Sequence, residues 1–120
     1  MGTINWFMIA GCYGFDLRSS GDLLLKSETY ASKPALLEGI AALQRYAVDR
    51  RFFHSEKMPD GTVTFVLLSS NGNVLGRSGV FADREAMENG IRRVMGAAPI
   101  ALVREASMLN PSWMLSKFPG

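Results

Sequence analysis

The chain holds one cysteine and one histidine, and nucleophilic chemistry would have to start from them. Cys12 and His54 lie in the first β-like runs of two related halves of the sequence, so a thiol activated by a neighbouring imidazole is the catalytic arrangement these residue types offer. No third residue to orient the imidazole and no oxyanion motif accompany them, and one His plus one Cys falls short of the ligand set of a metal site. The carboxylates read more plainly. Glu28 and Glu38 stand opposite Gly79 and Asn89 of the other half. Asp83, Glu85 and Glu88 gather where a helical pattern begins and Arg92 and Arg93 where it ends, an order that complements the helix dipole. The twelve glycines are scattered and form no phosphate-cradling loop. No catalytic, cofactor-binding or metal residue is assigned, and a small-molecule or enzymatic site at Cys12 and His54 stands as an alternative.

The basic residues offer a second chemistry. Arg45, Arg50 and Arg51 follow one helical pattern and Arg92 and Arg93 close the other, and two such clusters could hold phosphates. They lie amid Asp49, Glu56 and Glu88, without the interleaved aromatics that single-strand binding favours, and a net charge of +2 is too small to steer the chain to nucleic acid. Nucleic acid therefore ranks behind protein as a partner. Composition bounds the rest: 120 residues with 48% hydrophobic and 20% charged suit one self-sufficient globular domain. A lone cysteine fits a reducing cytoplasm. Ile9 to Cys12 reads "IAGC" like a lipoprotein processing site, but no Lys or Arg precedes the short apolar run before it. No apolar run approaches the length of a membrane span, so no membrane association is expected.

These side chains are positioned by elements that the sequence writes twice. Gly21 to Leu43 aligns without a gap on Gly72 to Val94, with identities at Gly21/Gly72, Leu24/Leu75, Ser27/Ser78, Ala31/Ala82, Ala35/Ala86, Gly39/Gly90 and Ile40/Ile91. One inserted residue, Asn71, carries the match back to Leu17/Leu67 and Phe15/Phe65. Each unit, at about 5–47 and 51–98, reads β, β, β, α. Pro59-Asp60-Gly61 and Asn71-Gly72 mark hairpin turns in the second, and Gly14 and Gly21 lie near the corresponding turns in the first. Ser32 and Asp83 are the expected helix N-caps, with Pro34 near one start. Leu36, Ile40 and Leu43, and Met87, Ile91 and Val94, recur at helical spacing and should face a sheet. Gly39 and Gly90 cost each helix about 1 kcal/mol relative to alanine, which implies that neighbouring backbone comes too close for a Cβ.

A strand ending in Ser27, Glu28 and Tyr30, a helix start at Ser32 and Lys33, and Gly39-Ile40 within the helix make this chain resemble the YegP-like family (DUF1508, or UPF0339). The second unit departs from that pattern at Gly79, Phe81, Asp83 and Arg84. The resemblance, which covers about residues 5 to 98 and takes a tandem-repeat form, implies an α+β fold. Two β-β-β-α repeats would form an antiparallel sheet with two helices packed on it, in a single domain. The family is of uncharacterised function, so the resemblance implies no activity and no catalytic residues.

Two features point to contacts with protein. In the middle strands Phe15 and Leu17 alternate with Asp16 and Arg18, whereas Phe65 and Leu67 alternate with Val66 and Leu68, which makes the second unit apolar on both faces. Residues 99–120 form an apolar C-terminal tail that carries Trp113, Met114 and Phe118, side chains typical of interface anchors. Either the tail covers Val66 and Leu68 or these residues meet a partner. The first helix is also the more apolar on its outer side, with Ala41 and Ala42 where the second has Arg92 and Arg93. The sequence thus reads as a small non-enzymatic α+β binding module that contacts an unknown protein partner or its own copy.

Overall fold

Turn chemistry sets the strand boundaries. Ala10 and Gly11 (φ 54° and 81°) and Ser20 and Gly21 (φ 54° and 83°) form two-residue turns whose left-handed backbone matches the twist of the strands they join. In the computed structural model, which describes residues 2–106, they separate β1 (Gly2–Ile9), β2 (Cys12–Ser19) and β3 (Asp22–Lys26). Helix α1 (Lys33–Tyr46) follows, then β4 (Phe53–Lys57), β5 (Val63–Leu68), β6 (Val74–Arg77), α2 (Arg84–Ala97) and β7 (Leu102–Glu105). Gly14 lies inside β2 and not at a turn; the Phe7 ring covers it, 3.0 Å from where a Cβ would stand.

The result is an α+β domain with a mixed seven-stranded sheet in the order β4-β5-β6-β3-β2-β1-β7. The expected all-antiparallel sheet is corrected by β7, which runs parallel to β1 with Ile4 opposite Val103. Local contacts bring it there. Gly2 lies so close under the end of α2 that a Cβ on it would stand 2.9 Å from Ala97 Cβ. Gln44 Nε2 on α1 donates to the carbonyls of Ala98 (3.0 Å) and Ala101 (3.2 Å), which fixes the short 3-10 turn Ala98–Ile100 leading into β7.

Both helices start where a side-chain oxygen takes up a free N–H group. Ser32 Oγ accepts from Ala35 N at 3.2 Å and Asp83 Oδ1 from Ala86 N at 2.8 Å. Leu36, Ile40 and Leu43, with Met87, Ile91 and Val94, are buried against Phe15, Leu17, Leu25, Phe65 and Leu67 in one core. Helix α1 packs on β2, β5 and β6, and α2 on β5 and β3. Each helix thus crosses the seam where β3 meets β6, whose registered pair is Lys26 with Arg77.

The glycines inside the helices face aromatic rings, not the neighbouring backbone that the sequence suggested. A Cβ on Gly39 would stand 2.5 Å from Tyr30 Cζ, and one on Gly90 2.6 Å from Phe81 Cζ. Each ring is held from below: Tyr30 stacks on Phe15 with centroids 6.2 Å apart, and Phe81 on Phe65 at 5.8 Å. Backbone hydrogen bonds between Tyr13 and Tyr30, and between Val63 and Phe81, pin the residues that carry them. Ser27 Oγ accepts from Phe15 N at 2.8 Å, and Ser78 Oγ from Phe65 N at 2.9 Å. Overpacking of this kind costs about 1–3 kcal/mol, so Gly90→Ala is expected to lower unfolding stability by that amount in urea titrations. Gly96 lies in the same helix with nothing within 4 Å of an added Cβ. Gly96→Ala is therefore expected to raise stability by up to about 1 kcal/mol.

Candidate functional site

Cys12 begins β2 and His54 lies on β4, both exposed. Four strand steps separate β2 from β4 in the sheet order, about 19 Å at 4.8 Å per step. The two residues therefore do not form a Cys–His pair: Cys12 falls on the second strand and not the first, and the sheet joins β6 to β3, which leaves β4 and β2 far apart. Among the described residues no group of three His, Cys, Asp or Glu side chains is placed to hold a metal ion.

The arginines do not form one free basic face. Arg50 makes a two-pronged contact with Glu88, Nη2 to Oε2 at 2.7 Å, and Arg51 pairs with Asp49 at 2.7 Å. Hydrogen bonds from these guanidinium groups hold the Glu88 and Asp49 carboxyls below the usual carboxylate range. Arg93 pairs with Asp22 at 3.1 Å, and Arg92 bonds to Asn89. Arg45 lies over the Tyr46 ring, 5.8 Å from its centroid.

The outer sheet face carries a row that crosses all seven strands: His54, Val66, Arg77, Lys26, Asp16, Asn5 and Arg104. Val66 is half-buried between His54 and Arg77, and Leu68 is half-buried opposite Val74. Trp113, Met114 and Phe118 lie outside the described residues. The two edges of the sheet differ. On β4 four exposed residues in succession, His54, Ser55, Glu56 and Lys57, include two charges. On β7 Leu102 is 62% exposed, and Ile100 just before it is 75% exposed.

A groove of about 590 Å³ lies between α1 and the β5–β6 hairpin. One wall is the α1 stripe Ala35, Glu38, Gly39, Ala42, Arg45 and Tyr46, whose spacing is that of one helix face; the other is Ser69, Ser70, Asn71 and Asn73 with Val74 and Leu75. The Tyr30 ring lines it beside Gly39, and the Tyr46 and Ser70 hydroxyls close one end through a 2.9 Å hydrogen bond. Burial and the nearby Glu28 carboxylate push the Tyr30 phenol up from its ordinary pKa, while the bond to Ser70 and the Arg45 charge pull Tyr46 down. The corresponding groove beside α2 measures about 180 Å³ and is lined by Leu23, Leu24, Phe65, Gly79, Val80, Phe81, Gly90 and Arg93. The difference was partly visible in sequence as Ala42 in place of Arg93. The role of the hairpin was missed, and its signal was the inserted Asn71, which lengthens the β5–β6 turn.

Comparison with known proteins places this geometry. Residues 59–105 match the family described as Domain of unknown function (DUF1508). A UPF0339 protein of Bordetella pertussis is 34% identical over 94 residues, covering 78% of this chain and 85% of that one. A UPF0339 protein of Pseudomonas aeruginosa is 31% identical over 98 residues, covering 81% and 89%. Two solution NMR structures share the fold at 23% identity. A UPF0339 protein of Shewanella oneidensis has a TM-score of 0.81, with 87% of this chain and 90% of that chain covered. The protein of unknown function yegP from E. coli has a TM-score of 0.82, with 88% and 92% covered.

The two tyrosines of the groove give a direct check on its electrostatics. In a spectrophotometric or NMR titration Tyr30 is expected to ionise above 10 and Tyr46 below it. Because the folded pKa of Tyr30 exceeds the unfolded one, its stabilising contribution is complete below about pH 10 and is lost as pH rises through the folded value. Wild type is therefore expected to lose more stability than Tyr30→Phe on the alkaline side of that point.

Proposed function

The chain belongs to the UPF0339 family, and from that premise we propose that it is a small non-enzymatic binding module that works through contact with protein, either a partner or its own copy. The observation that carries this reading is the contrast between the two sheet edges. Both edge strands carry two charged residues, Glu56 and Lys57 on β4 and Arg104 and Glu105 on β7, but β7 also exposes the apolar Leu102 and Val103, with Ile100 just before them, where β4 exposes no large apolar side chain, and exposed apolar residues on an edge invite another strand. Val66 and Leu68, half-buried on the outer face, and Trp113, Met114 and Phe118 in the segment beyond the described residues are the further side chains this reading assigns to the contact. Nucleic-acid contact through Arg45, Arg50, Arg51, Arg92 and Arg93 is the weaker reading, since Arg50, Arg51 and Arg93 are each held by a carboxylate. An active site at Cys12 and His54 is weakened further by their separation across the sheet. With its lone cysteine the module is assigned to a reducing cytoplasm. No helix among the described residues is long and apolar enough to cross a membrane.

The two β-β-β-α units are read as copies of one ancestral unit. Support comes from the paired positions that do the same work: Tyr30 on Gly39 and Phe81 on Gly90, Ser27 bonded to Phe15 and Ser78 to Phe65, and Ser32 and Asp83 as caps. Selection on a shared contact would keep both members of such pairs, while surface positions such as Ala42 and Arg93 were free to diverge.

Sedimentation velocity of the purified chain, together with nuclease-treated pull-downs from a bacterial lysate, tests the binding reading. Self-association or retention of a specific protein is expected, and the double variant Ile100→Lys, Leu102→Lys is expected to weaken it at least tenfold. A wild-type chain that stays monomeric and retains no protein, a variant that binds as well as wild type, or retention that vanishes with nuclease would each overturn it.

A further inference from the structure

The groove beside α1 has a worked example of its occupant elsewhere in the same molecule. On α2 the equivalent space is crossed by the Arg93 side chain, whose Nη2 donates to the Ser19 carbonyl at 3.2 Å and lies 3.1 Å from the Asp22 carboxylate. That one side chain spans from helix to hairpin turn and leaves about 180 Å³. On α1 the corresponding residue is Ala42, too short to reach the β5–β6 hairpin, and about 590 Å³ stays open. We propose that the α1 groove receives an arginine side chain from a partner protein, seated as Arg93 is seated on α2.

The lining suits a guanidinium at one end and an aliphatic stem along the rest. Glu38 stands where α2 has Asn89, and it makes no ion pair among the described residues. A charge-assisted, forked contact with such a carboxylate is the interaction for which arginine is shaped. Asn73 replaces Asp22 on the hairpin, so the acid of the site has moved from the turn to the helix. Ala42 and Leu75 give the stem an apolar bed. The cation already in the groove, Arg45, is seven residues from Glu38, about 10 Å along the helix at 1.5 Å per residue, and lies over Tyr46. It therefore leaves the acidic end to the incoming side chain.

This inference rests on the protein-binding reading but uses a different surface from the β7 edge, so the two can fail separately. The probe is a capped Gly-Arg-Gly peptide, with the citrulline peptide as its uncharged isostere, titrated into the full isotope-labelled chain by NMR. Saturable shifts in the millimolar range are expected at Gly39, Ala42 and Asn73, with citrulline binding at least tenfold weaker. Ala42→Arg should fill the groove from within and weaken peptide binding at least tenfold. Glu38→Gln, an exposed and isosteric change that leaves packing intact, should weaken it severalfold. Absence of saturable shifts, equal binding of the citrulline peptide, or undiminished binding by Glu38→Gln or by a folded Ala42→Arg would overturn the proposal. The Ile100→Lys, Leu102→Lys variant is expected to bind the peptide like wild type while losing association through the edge.

Discussion

An aromatic ring pressed against a helical glycine fixes how closely each helix lies on the sheet, and most of the structure follows from that contact. The ring comes from a residue between a strand and the helix that follows it, Tyr30 after β3 or Phe81 after β6, and lies on a phenylalanine of β2 or β5, Phe15 or Phe65. A helix with any side chain at Gly39 or Gly90 would have to lift away or displace the ring. Lifting it would open the contacts of Leu36, Ile40 and Leu43, or of Met87, Ile91 and Val94, with the sheet, and cavities of that kind cost several kcal/mol. The weak helix propensity of glycine, about 1 kcal/mol, is small beside that loss.

The same contact explains why each helix is flanked by a groove. The ring raises a short ridge beside the helix, and a hairpin, β5–β6 for α1 and β2–β3 for α2, stands across from it, so a channel remains between helix and hairpin. What fills the channel is decided by single side chains. Arg93 closes one with a bond to Ser19 and a charge pair with Asp22; Ala42 leaves the other open, and Tyr46 with Ser70 only caps its end. The two helices are thus alike in how they sit on the core and unlike in what flanks them at the surface.

Much of this was legible in the sequence because it is local. The N-caps Ser32 and Asp83, the hairpin residues Asp60-Gly61 and Gly21, and the buried helical positions declare themselves within a few residues. The contacts that were not legible join distant segments. Strand β7 is four residues long and pairs with β1 from the opposite end of the chain, so its short apolar run looked like part of a tail. The separation of Cys12 from His54 depends on which strands meet at the seam, which the pattern within each unit does not encode. Gly39 and Gly90 stand out in the sequence as anomalies, but the ring opposing each does not show in helical periodicity, because Tyr30 and Phe81 stand nine residues before their glycines, across the turn that starts the helix, and act from outside it. Gly14, which the sequence places near a turn, stands just inside β2 and admits the Phe7 ring.

The most direct test of the ring-on-glycine contact is a double-mutant cycle at Phe81 and Gly90, where no phenol hydroxyl complicates the ring. Unfolding free energies of wild type, Gly90→Ala, Phe81→Leu and the double variant would give the coupling between the two positions. If the ring is what forbids a Cβ, Gly90→Ala becomes neutral or stabilising once Phe81 is trimmed, with a coupling of at least about 1 kcal/mol. Additivity within about 0.5 kcal/mol would contradict the account and place the cost of Gly90→Ala elsewhere in the helix.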